Sequence, residues 1–161
     1  MKKILLLSLA IGLALQVYYF FHLPEIVAHN FDRTGLAKAG LLKKDYILFS
    51  TLTILASSII YLLIDTVCRK IPDRFISFPY KEYWFQPGRK DSAFKKMVPW
   101  SDFFGLLVNL FLISIFYLLY TANQFDPALL NIRLFLSIIT VFLIITAFWM
   151  IALYIVFKPP K

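Results

Sequence analysis

His22, Glu25 and His29 lie close together in one short polar stretch. Two imidazoles and a carboxylate are a donor set that catalytic zinc uses. Glu25 and His29 are four apart, so one turn of helix would bring them to the same face. Pro24 interrupts the turn that would pair His22 with Glu25, and the spacing matches no standard metal-binding helix motif. The three are therefore weak metal candidates, and the expectation for His29 is a hydrogen bond within its own loop. No nucleophile with a base, no carboxylate pair and no phosphate-cradling glycine run appears elsewhere; the five glycines are scattered singly. Cys68 is the only cysteine, which excludes an intrachain disulfide and a cysteine-built zinc site. No catalytic residue is assigned, no cofactor is called for, and a non-enzyme is expected.

The elements that must position these groups are four apolar stretches: 4–21, 46–64, 103–120 and 134–157. None contains Asp, Glu, Lys, Arg or His. Each reaches or approaches the roughly 20 residues a helix needs to cross a hydrocarbon core about 30 Å thick. A helix satisfies its own backbone hydrogen bonds, as a chain in lipid must. The hydrophobic fraction of 60% agrees. The expected fold is an all-α integral membrane protein: one four-helix domain over 1–161, with an outer loop at 22–45 and a cytoplasmic loop at 65–102.

Charge sets the expected orientation. Lys2, Lys3, Arg69, Lys70, Arg74, Lys81, Arg89, Lys90, Lys95, Lys96, Lys158 and Lys161 fall on one side of the four spans. Arg33, Lys38, Lys43, Lys44 and Arg133 fall on the other. Basic residues concentrate in cytoplasmic loops, so both termini are expected in the cytoplasm of a plasma membrane. The net charge of +8 thus belongs to loops beside spans, where it meets the bilayer and its anionic headgroups rather than nucleic acid. Within the spans, Gln16 and Asn109 are the polar groups able to bond across helices. Asp65 and Asp102 are expected to stay hydrated at cytoplasmic helix ends.

In the outer loop, Pro24 suits the first turn of a short helix with Glu25 near its N-terminus. Asp32-Arg33-Thr34-Gly35 has the form of a type I turn. Gly40 reads as a second reversal. In the cytoplasmic loop, Tyr83-Trp84 beside Lys81, Arg89 and Lys90 is a membrane-interface composition. Pro79 and Pro87 discourage one long helix there. The loop is expected to lie on the inner leaflet, with a partner-docking surface as the alternative.

Leu23-Pro24-Glu25, then Val27-Ala28-His29-Asn30-Phe31-Asp32, Gly35 and Lys43, resemble the signature of the bacterial membrane domain-of-unknown-function family 1648, which also forms the N-terminal part of SdpI-type toxin-immunity proteins. The family's His usually directly precedes the Phe; here Asn30 stands there and His29 one earlier. The usual Trp is absent, with Leu41 and Leu42 near its position. Phe78-Pro79-Tyr80-Lys81-Glu82-Tyr83-Trp84-Phe85-Gln86-Pro87-Gly88-Arg89-Lys90 resembles a second segment of the small four-span members, with Tyr80 in place of their Asn. The likeness covers roughly half of the chain. It implies a bacterial inner-membrane protein that meets an extracytoplasmic peptide, as in toxin immunity, or signals through its cytoplasmic surface. An accessory subunit bound to another membrane protein is the alternative, and a metal-dependent membrane enzyme a more distant one. His29, Asn30, Phe31, Asp32, Gly35, Tyr83, Trp84, Arg89 and Lys90 are the candidate ligand- or partner-contacting residues.

Overall fold

The computed structural model describes residues 1–160; Lys161, counted above with the basic residues of one side, lies outside them. The chain runs α1 (Lys2–His22), β1 (Ile26–Phe31), β2 (Ala37–Leu42), α2 (Lys43–Lys70), a short 3-10 turn (Asp73–Phe75), α3 (Lys81–Trp84), α4 (Lys90–Ala122) and α5 (Ile132–Val156). Four helices, α1, α2, α4 and α5, are long and apolar enough to cross a membrane. They extend past the apolar stretches because a charged residue ends a span without ending a helix. Thus α4, at 33 residues, is about 50 Å long and exceeds a 30 Å hydrocarbon core. Its first turns, before Pro99, pack Phe94 against Phe78 and Phe85 of the 65–89 loop.

Helices α1, α2 and α4 pack on one another, and α5 packs on α4. In lipid, helices this apolar would have no hydrophobic drive for association, so close packing and polar contacts would have to hold them. Gly105 permits the α2–α4 approach, since a Cβ there would stand 2.7 Å from Tyr61 Cβ. Tyr19, Leu23, Val27, Tyr46, Ile54 and Phe116 fill the core near the hairpin. Deeper, the expected cross-helix bonds are present. Ser50 donates to Gln16 Oε1 at 2.6 Å. Asn109, fully buried, accepts from Ser57 (2.9 Å) and Ser58 (3.2 Å) and donates to Ser8 (3.0 Å).

The all-α expectation needs one correction. The segment after Pro24 forms no helix; β1 and β2 make a two-stranded antiparallel hairpin. β-Branched Ile26 and Val27 favour extended backbone, and the Asp32–Gly35 turn returns the chain along itself. That turn closes as expected, with Gly35 N–H donating to Asp32 C=O at 3.1 Å. Gly40 is not a reversal but a strand residue opposite Ala28, where a Cβ would come 2.5 Å from Ile26 Cγ2. Asp102 also departs from expectation: it is buried against the bundle rather than hydrated, whereas half-buried Asp65 pairs with Arg69 at 3.0 Å.

Candidate functional site

The hairpin is fixed to the bundle by a side chain the sequence did not single out. Asn123, at the end of α4, accepts from Ala28 N–H (2.7 Å) and donates to Ala28 C=O (2.9 Å). Its amide thus replaces one residue of a third strand on the outer edge of β1. A second donation, to Leu119 C=O at 2.8 Å, fixes the amide to its own helix. In sequence an Asn at a helix end reads as an ordinary cap, so nothing local pointed to the clamp. The α4–α5 connection adds two backbone bonds, Leu130 N–H to Gly35 C=O (2.8 Å) and Ala37 N–H to Ala128 C=O (3.2 Å). At the hairpin's base Lys43 pairs with Glu25 at 2.9 Å and also reaches Leu23 C=O at 3.3 Å.

These contacts divide the hairpin candidates by role. Phe31 packs against the cluster of Leu118, Ala122 and Leu130. Asp32 Oδ1 accepts from Thr34 Oγ1 (2.6 Å), Thr34 N–H (2.8 Å) and Leu36 N–H (3.0 Å). The Thr34 hydroxyl is the largest influence on the Asp32 carboxyl; with the backbone N–H groups of Leu36, Thr34 and Gly35 it outweighs desolvation and holds the carboxyl below its usual range. Gly35 has φ +91°, and a Cβ there would overlap the Leu130 carbonyl oxygen. These three residues build the turn. His29 and Asn30 differ: the strand register shifts between Ala28 and Asn30, so His29 occupies a bulge, and both side chains are exposed. Bulges re-aim side chains in this way.

The weak metal set is not gathered. His22 Nδ1 lies 2.7 Å from Tyr18 C=O on its own helix, Glu25 holds Lys43, and His29 stands at the bulge. Among the described residues no group of three metal-ligating side chains comes together. The helical face expected to join Glu25 and His29 does not exist, because the backbone there is extended.

Strand β2 is exposed at all six positions. Beside it an open cleft of about 610 Å³ runs between the hairpin and the α4–α5 connection, lined by Ala28, Lys38, Gly40, Asn123, Phe125 and Asp126 among others. Small side chains leave backbone accessible along this wall.

At the opposite end the central-loop candidates are engaged with the protein. Trp84 Nε1 donates to Phe157 C=O at 2.7 Å, and Phe78 packs its ring against Phe85, Phe94 and Phe157. Arg89 lies 4.3 Å over the Tyr83 ring and donates to Gln86 Oε1 at 2.9 Å. Lys90 pairs with Asp73 at 2.5 Å. Comparison of the chain with protein-family models, curated proteins and solved structures finds no match.

Proposed function

We propose that this chain is a non-catalytic, multi-pass protein of a bacterial plasma (inner) membrane, with both termini cytoplasmic, whose hairpin face receives an extracytoplasmic peptide. One observation carries the reading: β2 is exposed at all six positions beside a 610 Å³ cleft and, past the Ala37 N–H bonded to Ala128, takes no further backbone bond from the α4–α5 connection among the described residues, while β1 is held to the bundle through Asn123. A rigid strand pair with an accessible edge suits an extended peptide, which gains main-chain hydrogen bonds by adding as a strand. The resemblance to family 1648 and SdpI-type proteins supports protection against a peptide toxin as the purpose, with signalling through the cytoplasmic loop as its other form. The orientation rests on the basic residues that crowd the side of the 65–89 loop.

A photo-reactive side chain at Lys38, introduced in the native host, tests the peptide reading: a peptide-sized adduct is expected. A second reading, an accessory subunit of a larger membrane assembly, draws on α5, whose only buried residue is Leu153. It requires instead that a probe at Leu143 capture a membrane protein that co-purifies stoichiometrically while the Lys38 probe captures nothing. For orientation, Ala39→Cys and Ser92→Cys in a Cys68→Ser background should react with an impermeant maleimide from opposite faces, Ala39→Cys in intact cells. Reaction from the same face would end the four-span model.

A further inference from the structure

We infer that the groove between α4 and α5 on the hairpin side is a binding site for one anionic phospholipid, an acyl chain lying in the groove and the phosphate on Arg133. The inference rests on the four-span reading but is independent of the peptide. The groove, about 400 Å³, is walled by Leu107, Phe111, Leu134, Ile138, Phe142 and Ile145, with Phe111 and Phe142 stacked at 4.3 Å. Its length along α5, from Leu134 to Ile145, is about 16 Å at the helical rise. That is close to half of a 30 Å hydrocarbon core, so the groove is one leaflet deep.

Arg133 lies at the mouth. It is exposed, and its side chain has no ion-pair or hydrogen-bond partner among the described residues. Arg133 stands one turn before Ser137, which lines the groove, so both occupy the same face of α5. A guanidinium there can reach the headgroup level and take a phosphate by two parallel N–H···O bonds. It is also the one basic residue in α5, on the side that carries fewer positive charges.

The walls favour a lipid chain over a helix of another protein. Helices associate in lipid through small residues and shared polar groups. The two hydroxyls in the groove are already used, Ser114 on Leu110 C=O and Ser137 on Arg133 C=O, each at 2.8 Å. The remaining surface is Leu, Ile, Val and Phe.

Native mass spectrometry of the full chain, released from mild detergent with equimolar dioleoyl phosphatidylglycerol and dioleoyl phosphatidylcholine, tests the site. The phosphatidylglycerol adduct should dominate. Arg133→Gln should reduce it roughly tenfold, as expected for a charge-assisted pair, and Arg133→Lys should retain part of it. Val141→Trp, which fills the groove, should reduce adducts of both lipids while the melting temperature stays near that of the parent. Equal adducts of the two lipids in the parent chain, or an unchanged phosphatidylglycerol adduct in Arg133→Gln, would overturn the assignment. Displacement by millimolar inorganic phosphate would assign Arg133 to free phosphate instead. A dimer abolished by Val141→Trp would give the groove to a second copy of the chain. A chain that remains soluble without detergent would refute the four-span reading itself, a failure distinct from loss of lipid preference.

Discussion

Replacing Asn109 with alanine removes a side chain on α4 that bonds to both other core helices, through Ser8 of α1 and Ser57 and Ser58 of α2. Interhelical hydrogen bonds in membrane proteins average about 0.6 kcal/mol and reach about 1.7 kcal/mol. Three serine partners at the average give a loss of about 2 kcal/mol for Asn109→Ala. The value stays modest because a serine can fall back on its own helix; Ser8 already donates to Leu5 C=O at 2.7 Å. Asn109→Leu keeps most of the volume and drops the bonds, so it should lose less than the alanine variant, which also leaves a cavity.

Unfolding in mixed micelles by titration with a denaturing detergent, followed by helical circular dichroism, reads these differences. A double-mutant cycle of Asn109→Ala with Ser58→Ala should show coupling of about 0.6–1.7 kcal/mol. Ser114→Ala is the control, because that hydroxyl bonds only to Leu110 C=O in its own helix, and it should be near neutral. If both Asn109 variants match the parent and the cycle shows no coupling, packing alone holds the bundle and the network argument fails.

Four further outcomes follow from the hairpin and the loop. Gly35→Val should destabilise by about 1 kcal/mol or more, from strain at φ +91° and overlap with Leu130 C=O, while Ala37→Val on the exposed strand is tolerated; equal melting temperatures would remove the turn argument. Asn123→Leu strands the Ala28 N–H and C=O, at about 1–3 kcal/mol each if they stay buried, so the Ala28 amide should exchange hydrogen much faster than in the parent; unchanged protection would show that the clamp is dispensable. Because the folded Asp32 carboxyl titrates below its ordinary 3.8, its stabilisation of the turn is full above that pH and disappears as pH falls through the lower folded value; a hairpin melting already between pH 7 and 5 would contradict this. Trp84, isolated by Trp100→Phe and Trp149→Phe, should emit blue-shifted light yet resist lipid-attached quenchers, since its ring seats on Phe157; strong lipid quenching would place it in the bilayer instead.

The four long helices were legible because a span is written in consecutive residues: length and absence of charge suffice. Gln16 and Asn109 were legible for a related reason, being strongly polar side chains within apolar runs. The hairpin was not. Pro24, Glu25 and a four-residue spacing suit a first helical turn, and the Asn123 amide that clamps Ala28 lies 95 positions away. A side-chain amide that stands in for a strand leaves no periodic mark. The turn residues Asp32 and Gly35 were readable because their demand is local, a carboxylate facing neighbouring N–H groups and a backbone at positive φ. The expectation of a loop hydrogen bond for His29 follows from residue type alone, whereas the bulge that exposes it is a property of pairing with β2. The burial of Asp102 is not legible in the sequence, because it comes from neighbouring helices.

The position of α5 follows from its ends more than from its length. Packed on α4 through the Phe104–Trp149 and Phe111–Phe142 ring stacks, it buries only Leu153 fully. At its start, Asn131 caps Leu134 N–H at 3.1 Å, and the preceding Leu130 is bonded to the hairpin turn through Gly35. At its finish, the last carbonyls, which a helix leaves without partners, accept from Lys96 (Val156 C=O, 2.6 Å) and Trp84 (Phe157 C=O, 2.7 Å). The Lys96 ammonium also lies at the negative end of the helix dipole. The hairpin therefore holds one end of α5 and the central loop the other. A change at either surface, at β2 or in the loop around Trp84, would act on the helix that forms one wall of the α4–α5 groove. Coupling between the two faces of the protein is thus expected to run through the seating of α5, while the Asn109 network keeps α1, α2 and α4 fixed.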